Sequence, residues 1–321
     1  MRRDDDEPIR GEIRLACLRR VSHGLGVVKR EGLTPHQEWL RDLRAYLAVL
    51  PPSARYTHLT AAEILGWQLP KLPEQVPVFV AVDREDPRPR RHGLICSRLA
   101  GKPERRCHLG LPVDEPEEIL LRCARDLSLL DLAILVESAL QRRHLDPQKM
   151  EELLTTRRPG VRMLREAWRR STGKSQSAGE TVLQQFHRVL EVPFEPQAEL
   201  YDQAGNYVGR ADLLVVGTPY LHEYDGEYHR SAGQQRTDLR RGRGLSGTDY
   251  VRKGFVLDDL INHPAVVMHE IDRALGRRHD PRRLRRWRAL VENSLYSDAG
   301  RERIMNRWRR QHGLHDWTRT A

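Results

Sequence analysis

Four cysteines in 321 residues, Cys17, Cys96, Cys107 and Cys123, are too few for a disulfide scaffold, and none forms the C-x-x-C pair of the common structural zinc sites. No apolar run approaches the roughly 18 residues that a membrane-spanning helix needs. The start, Met1-Arg-Arg-Asp-Asp-Asp-Glu7, has no apolar segment of the kind that directs secretion. With a mean hydropathy of -0.67, the chain is expected to be cytoplasmic and to have no membrane partner. The sequence also lacks G-x-S-x-G and H-E-x-x-H strings, which leaves serine-hydrolase and zincin chemistry without support. Gly24-Leu-Gly26 and Gly242-Arg-Gly244 are isolated glycine pairs without a preceding strand, so they do not read as nucleotide loops. No internal repeat is present.

Lysine is nearly absent as well, with six among the 55 basic residues, yet the formal net charge is +10. A balance of this sign favours a polyanion, nucleic acid before an anionic membrane surface, and the expected partner is DNA first and RNA second. The arginines crowd toward the C-terminal end and include Arg282, Arg283, Arg285, Arg286 and Arg288. They read either as a surface that tracks phosphates or as a solvated helix face. Six tryptophans could stack on bases, but Trp287 and Trp308 lie among arginines on expected helices, where packing explains them equally well.

The length suggests two domains, and a hydrophobic content of 39% is enough for real cores. The first 52 residues carry short amphipathic patches broken by Gly24, Gly26 and Gly32. Thr60 and Glu63 fit a capping box for a short helix ending at Gly66. Val76–Val82 and Gly93–Leu99 read as strands, and 117–140 reads as two packed helices. Polar stretches between Arg157 and Ser177 mark a linker, which predicts a boundary between 1–171 and 172–321. Past it, Ser177 and Glu180 form another capping box, followed by strands at 197–201, 207–216 and 220–225. A basic helix at about 231–245, a strand at 250–256 and a helix begun by Asp258-Asp259 complete the order αβββαβα. The expected class is α/β, with a smaller α+β region at the N-terminal side.

The second and third of these strands form a hairpin around Gly217-Thr218, in which facing residues have numbers summing to 435. Asp212 then faces Glu223, Asp225 lies on the same face, and Arg210 stands opposite Asp225. Three acids on one hairpin face repel one another. A divalent cation would neutralise them, and Mg²⁺ (or Mn²⁺) held by such carboxylates suits phosphodiester hydrolysis. The plain alternative is an exposed acidic tip with Arg210 as its counter-ion.

Glu180 on a helix, Gly209-Arg-Ala-Asp212 on a strand and Glu223-Tyr-Asp-Gly-Glu-Tyr-His229 on the next resemble the PD-(D/E)XK nuclease superfamily. More narrowly they resemble a domain related to very-short-patch-repair endonucleases. Asp238-Leu-Arg-Arg241, Leu245 and Tyr250-Val-Arg252 extend the similarity over about 177–275. The resemblance implies an αβββαβ nuclease-like domain within 172–321. It implies that Asp212 and Glu223 bind the metal, that Glu180 supports it, and that Asp225 or His229 serves as general base or second ligand. Superfamily members usually carry lysine two residues after the second acid, where this chain has Asp225. His229 reads equally as a polar cap on the sheet edge. Arg210, Arg236, Arg241, Arg282, Arg285 and Arg286 are the candidates for nucleic-acid contact. The resulting expectation is a DNA endonuclease or nickase in repair or phage defence, against a non-catalytic DNA-binding regulator or antitoxin on the same scaffold.

Upstream, Leu18-Arg-Arg-Val21, His58-Leu-Thr-Ala-Ala62 and Gly110-Leu-Pro-Val113 resemble abortive-infection antitoxins and regulators, which implies a toxin or defence-system partner. Such proteins usually begin with a winged helix-turn-helix. Here the wing starts near Leu18, which leaves the reader incomplete. His58 is expected to pair with Thr60 as a structural contact.

Overall fold

The computed structural model describes residues 7–11, 15–101, 104, 106–226 and 248–311. In chain order its strands are β1 (Ile9–Arg10), β2 (Leu18–Ser22), β3 (Leu25–Val28), β4 (Arg55–Tyr56), β5 (Val78–Val82), β6 (Leu94–Arg98), β7 (Arg106–His108), β8 (Leu111–Val113), β9 (Phe194–Tyr201), β10 (Tyr207–Val215), β11 (Tyr220–Tyr224) and β12 (Val251–Phe255). The helices are α1 (Pro35–Leu47), α2 (His58–Ile64), α3 (Pro116–Asp126), α4 (Leu129–Gln141), α5 (Pro147–Thr155), α6 (Val161–Arg170), α7 (Ala178–Val189), α8 (Leu257–Ile261), α9 (Pro264–Ala274), α10 (Pro281–Glu292) and α11 (Asp298–Gln311). The fold is mixed α/β with several sheets. Among the described residues, no helix is long and apolar enough to cross a membrane. The basic helix expected at 231–245 lies outside the described residues.

Two compact units divide the chain, and they interleave. One takes Met1–Asp126, Asp146–Val161 and Glu302–Ala321, and the other takes Leu127–Leu145 and Arg162–Arg301. This differs from the boundary expected between 171 and 172. The polar stretch that suggested a linker is pinned: the backbone N–H groups of Thr172 and Gly173 donate to the Glu137 carboxylate at 2.7 and 2.6 Å. Leu130 and Ile134 of α4 are buried in the same core as Val182 and Phe186 of α7, so α4 belongs with the later residues.

In the first unit, β1, β3 and β2 form a small antiparallel sheet, with β2 beginning at Leu18 as the wing reading expected. A five-stranded sheet runs β6-β5-β4-β8-β7. Helix α2 starts earlier than the Thr60–Glu63 box suggested. Thr57 is its N-cap residue without a side-chain cap bond, and the Thr60 hydroxyl accepts from the Phe79 N–H at 2.9 Å instead. The burial of Thr60 explains the miss, because a buried hydroxyl bonds whichever donor the sheet brings. Trp308 is 2% exposed and sits in this unit, so it packs and has no face free for a base.

In the second unit the sheet order is β12-β11-β10-β9, with β9, β10 and β11 antiparallel and β12 parallel to β11. Leu213 pairs with His222 and Leu214 with Leu221, so the hairpin has the expected sum of 435. Val182, Leu183 and Phe186 of α7 form a core with Leu213, Val215, Phe255 and Trp287. Trp287 is fully buried, and its Nε1–H donates to the Leu260 carbonyl at 2.7 Å, which removes it from the base-stacking candidates.

His187 of α7 and His222 of β11 meet in this core, Nε2 to Nδ1 at 2.7 Å, while His187 Nδ1 lies 2.8 Å from the Leu183 carbonyl. The carbonyl requires a proton on His187 Nδ1, so His187 Nε2 accepts and His222 Nδ1–H donates. Burial pushes His187 down to about 4. Burial and the neighbouring His187 and Lys253 push His222 down to about 2. The unfolded chain therefore takes up these protons first. Their stability contribution is complete above the ordinary value of 6.5 and is lost as pH falls below it. Each ring is expected to remove roughly 1.4 kcal/mol per pH unit below that point. Urea unfolding at pH 7.5 and 5 should show a smaller loss for His222→Gln than for the wild type, and equal losses would reject the account.

Candidate functional site

The acids of interest come from three elements. Ser177 caps α7 by accepting from the Glu180 N–H at 3.1 Å, which fixes Glu180 in the first turn. Its carboxylate does not close the capping box. Instead Glu180 Oε2 accepts from the Gln176 N–H at 2.8 Å and from the Gln197 side-chain amide at 2.9 Å. The same amide lies 3.5 Å from Asp212 Oδ1, so Gln197 links Glu180 to Asp212. Gln197 holds a left-handed φ of 53°, a conformation that non-glycine residues adopt at a cost.

Continuing the hairpin register places Asp212 opposite Glu223. Asp212 Oδ2 accepts the Tyr224 N–H at 2.9 Å, so its carboxylate ties β10 to β11 where the ladder ends. The Tyr224 ring packs over Gly179, where a Cβ would come within 2.1 Å of it, and this brings β11 against the first turn of α7. Asp225 lies over Gly254 of β12, where a Cβ would sit 2.0 Å from its Oδ2. A side chain at either glycine would push the acid-bearing end of β11 away.

The cation that meets these acids is Arg252 of β12. Its Nε bonds Glu223 Oε2, and its Nη2 lies 3.1 Å from Asp225 Oδ1. Parallel pairing of Leu221 with Arg252 and Glu223 with Gly254 puts this guanidinium beside the acids. Arg210 was expected opposite Asp225; it is exposed, pairs in the sheet with Glu199, and its charge acts on Glu180. Arg252 and Gln197 carried no site role in the sequence reading. A β-strand following a long segment gives no local sign of which strand it joins.

Comparison with family models, with curated proteins and with solved structures returned no match.

Burial, then the nearby Asp212 charge, push the Glu180 carboxyl up to about 7. Two carboxyls in electrostatic reach, with Glu223 opposite, form a crowded set of hard oxygen donors. Among the described residues, no group of three or more His, Cys, Asp or Glu side chains is arranged to hold a metal ion. Glu180, Asp212 and Glu223, expected to share one cation, are therefore not brought together as such a group, and Arg252 places positive charge on Glu223 and Asp225 instead. His229, Arg236 and Arg241 lie outside the described residues.

A carboxyl with a raised folded pKa contributes stability that is complete below its ordinary 4.5 and is lost as pH rises through 7. Glu180→Gln escapes that loss. Relative to the wild type it should be more stable at pH 8 than at pH 4.5 by about 2 kcal/mol, after allowing for partial exposure. An equal difference at both pH values in urea unfolding would refute the shift.

Of the candidate basic residues, Arg282, Arg285 and Arg286 are exposed on α10, where Arg286 also pairs with Glu191 at 3.0 Å. Arg283 in the same run is buried, with Nη1 3.4 Å from Asp272 Oδ1. The arginine run is thus split between a surface row and an internal ion cluster.

Proposed function

We propose that the second unit is a nuclease-like domain that hydrolyses nucleic-acid phosphodiesters, as an endonuclease or nickase acting on DNA. The observation that carries this reading is the α7-β9-β10-β11 meander with β12 added parallel to β11, which sets Asp212 opposite Glu223 and Glu180 within electrostatic reach. The described elements supply the first helix, three strands and last strand of the expected αβββαβ order, and its second helix falls in 227–247, outside the described residues. Asp212 and Glu223, with Glu180 in support, would hold a Mg²⁺ or Mn²⁺ ion, which when bound activates water and offsets developing charge on phosphate. The exposed arginines of α10 would neutralise backbone phosphates and give salt-dependent binding.

A second reading is a DNA-binding regulator or antitoxin that uses the scaffold without cutting, the partner of a toxin in a defence system in the sense the N-terminal resemblance implies. The Arg252 bridge favours it, because a guanidinium already engages Glu223 and Asp225 where a cation would bind. The deciding experiment incubates the full chain with plasmid, mismatched duplex, single strands and RNA in Mg²⁺ and in Mn²⁺. Metal-dependent cleavage is expected. Tight binding with every substrate left uncut in both metals would replace the enzyme by the regulator.

A further inference from the structure

The first unit contains a cavity of about 390 Å³ whose lining includes His58, Phe79, Arg88, Ile95, Arg125 and Asp126. His58 opens α2 with a left-handed φ of 54° and is 3% exposed. Its ring stacks on Phe79 with centroids 4.0 Å apart. Nε2 lies 3.2 Å from Asp126 Oδ2, and both ring nitrogens are buried without a well-formed hydrogen bond among the described residues. This replaces the expected pairing with Thr60, whose hydroxyl is engaged by the Phe79 N–H. The strained backbone thus sets the imidazole into the cavity wall beside Asp126, with its nitrogens closed off from the open space.

The charge around the cavity is unbalanced. Arg122 is satisfied by Asp114 at 3.0 Å, Ser97 at 2.8 Å and the Arg98 carbonyl at 2.9 Å. Arg307 pairs with Asp126, which also receives Trp308 Nε1–H at 3.3 Å. Arg88 and Arg125 differ: Arg88 donates to the Cys96 carbonyl and Arg125 to the Pro159 carbonyl at 3.2 Å, and neither has a carboxylate ion pair among the described residues. Burial and the neighbouring Arg122 and Arg158 lower the Arg125 pKa from its ordinary value, as expected where cations crowd without enough acids. Phe79, Val80 and Ile95 supply an apolar wall beside these two guanidiniums.

We propose that this cavity binds a phosphate monoester carrying a flat ring, the class of the nucleoside monophosphates. Two guanidiniums without a carboxylate ion pair match a dianionic head, and the apolar wall of Phe79, Val80 and Ile95 matches the ring. The size fits a drug-sized molecule rather than a bare ion. The inference does not depend on the nuclease reading of the other unit.

The test is calorimetric titration of the full chain with AMP, GMP, CMP and UMP, with inorganic phosphate and adenosine as the separated halves of the ligand. At least one monophosphate should bind with a submillimolar Kd, and phosphate and adenosine should each bind at least about tenfold more weakly. Arg88→Gln, at an exposed position, and Arg125→Gln should each weaken the monophosphate about tenfold or more with unchanged thermal unfolding. If Arg125→Gln does not fold, Arg88→Gln alone carries the comparison. No binding of any monophosphate to the folded wild type, or equal binding by Arg88→Gln, would overturn the proposal.

Discussion

Asp212→Ala is expected to abolish metal-dependent cleavage, by at least about a hundredfold, while duplex binding stays intact or becomes slightly tighter. The carboxylate faces Glu223 across the hairpin and raises the Glu180 pKa by its charge. In the proposed nuclease its contribution is to the transition state. In the absence of a cation it only repels phosphate, so removing it should not weaken binding. The substitution also deletes the acceptor of the Tyr224 N–H and one side of the Gln197 bridge. Asp212→Asn keeps an oxygen for that N–H and serves as the control for local structure. Cleavage at the wild-type rate by both variants would eliminate Asp212 from the chemistry.

Arg252→Met is expected to destabilise the second unit by about 2 kcal/mol in urea unfolding. Breaking an ion pair whose acid is buried strands that acid, which costs about 3–5 kcal/mol in a closed interior. The Glu223 side chain is 4% exposed and that of Arg252 is 42% exposed, so solvent reaches one partner and reduces the cost. Glu223→Gln in the Arg252→Met background should recover most of the loss, because the uncompensated charge is then gone. A single variant as stable as the wild type at low salt would show the bridge to be a surface decoration.

The hairpin was legible because Gly217-Thr218 closes it and strict alternation fixes its faces, so Asp212 and Glu223 could be set opposite each other from numbering alone. The order of strands after Ser177 was legible for the same reason: each is a short apolar run bounded by turn residues. Arg252 was not, because its neighbours are chosen by a parallel crossover with Leu221, some thirty residues earlier. Gln197 was hidden differently, since a left-handed φ inside a strand contradicts the local preference of glutamine. His58 was assigned to Thr60 by proximity in sequence, whereas the sheet residue Phe79 claims both side chains. The Thr172–Gly173 stretch has the composition of a linker, and only the distant Glu137 turns it into a fixed corner.

The interleaving of the two units bears on synthesis. The first unit combines residues up to Asp126 with residues from Glu302 on, so its core stays incomplete until Trp308 has been made. Closing a loop of that length is slow, and the partly built sheet waits with apolar surface uncovered while the whole second unit is translated. Expressing residues 1–171 and 172–321 as separate polypeptides would make that wait permanent, since the first piece lacks Trp308 and the second lacks α4.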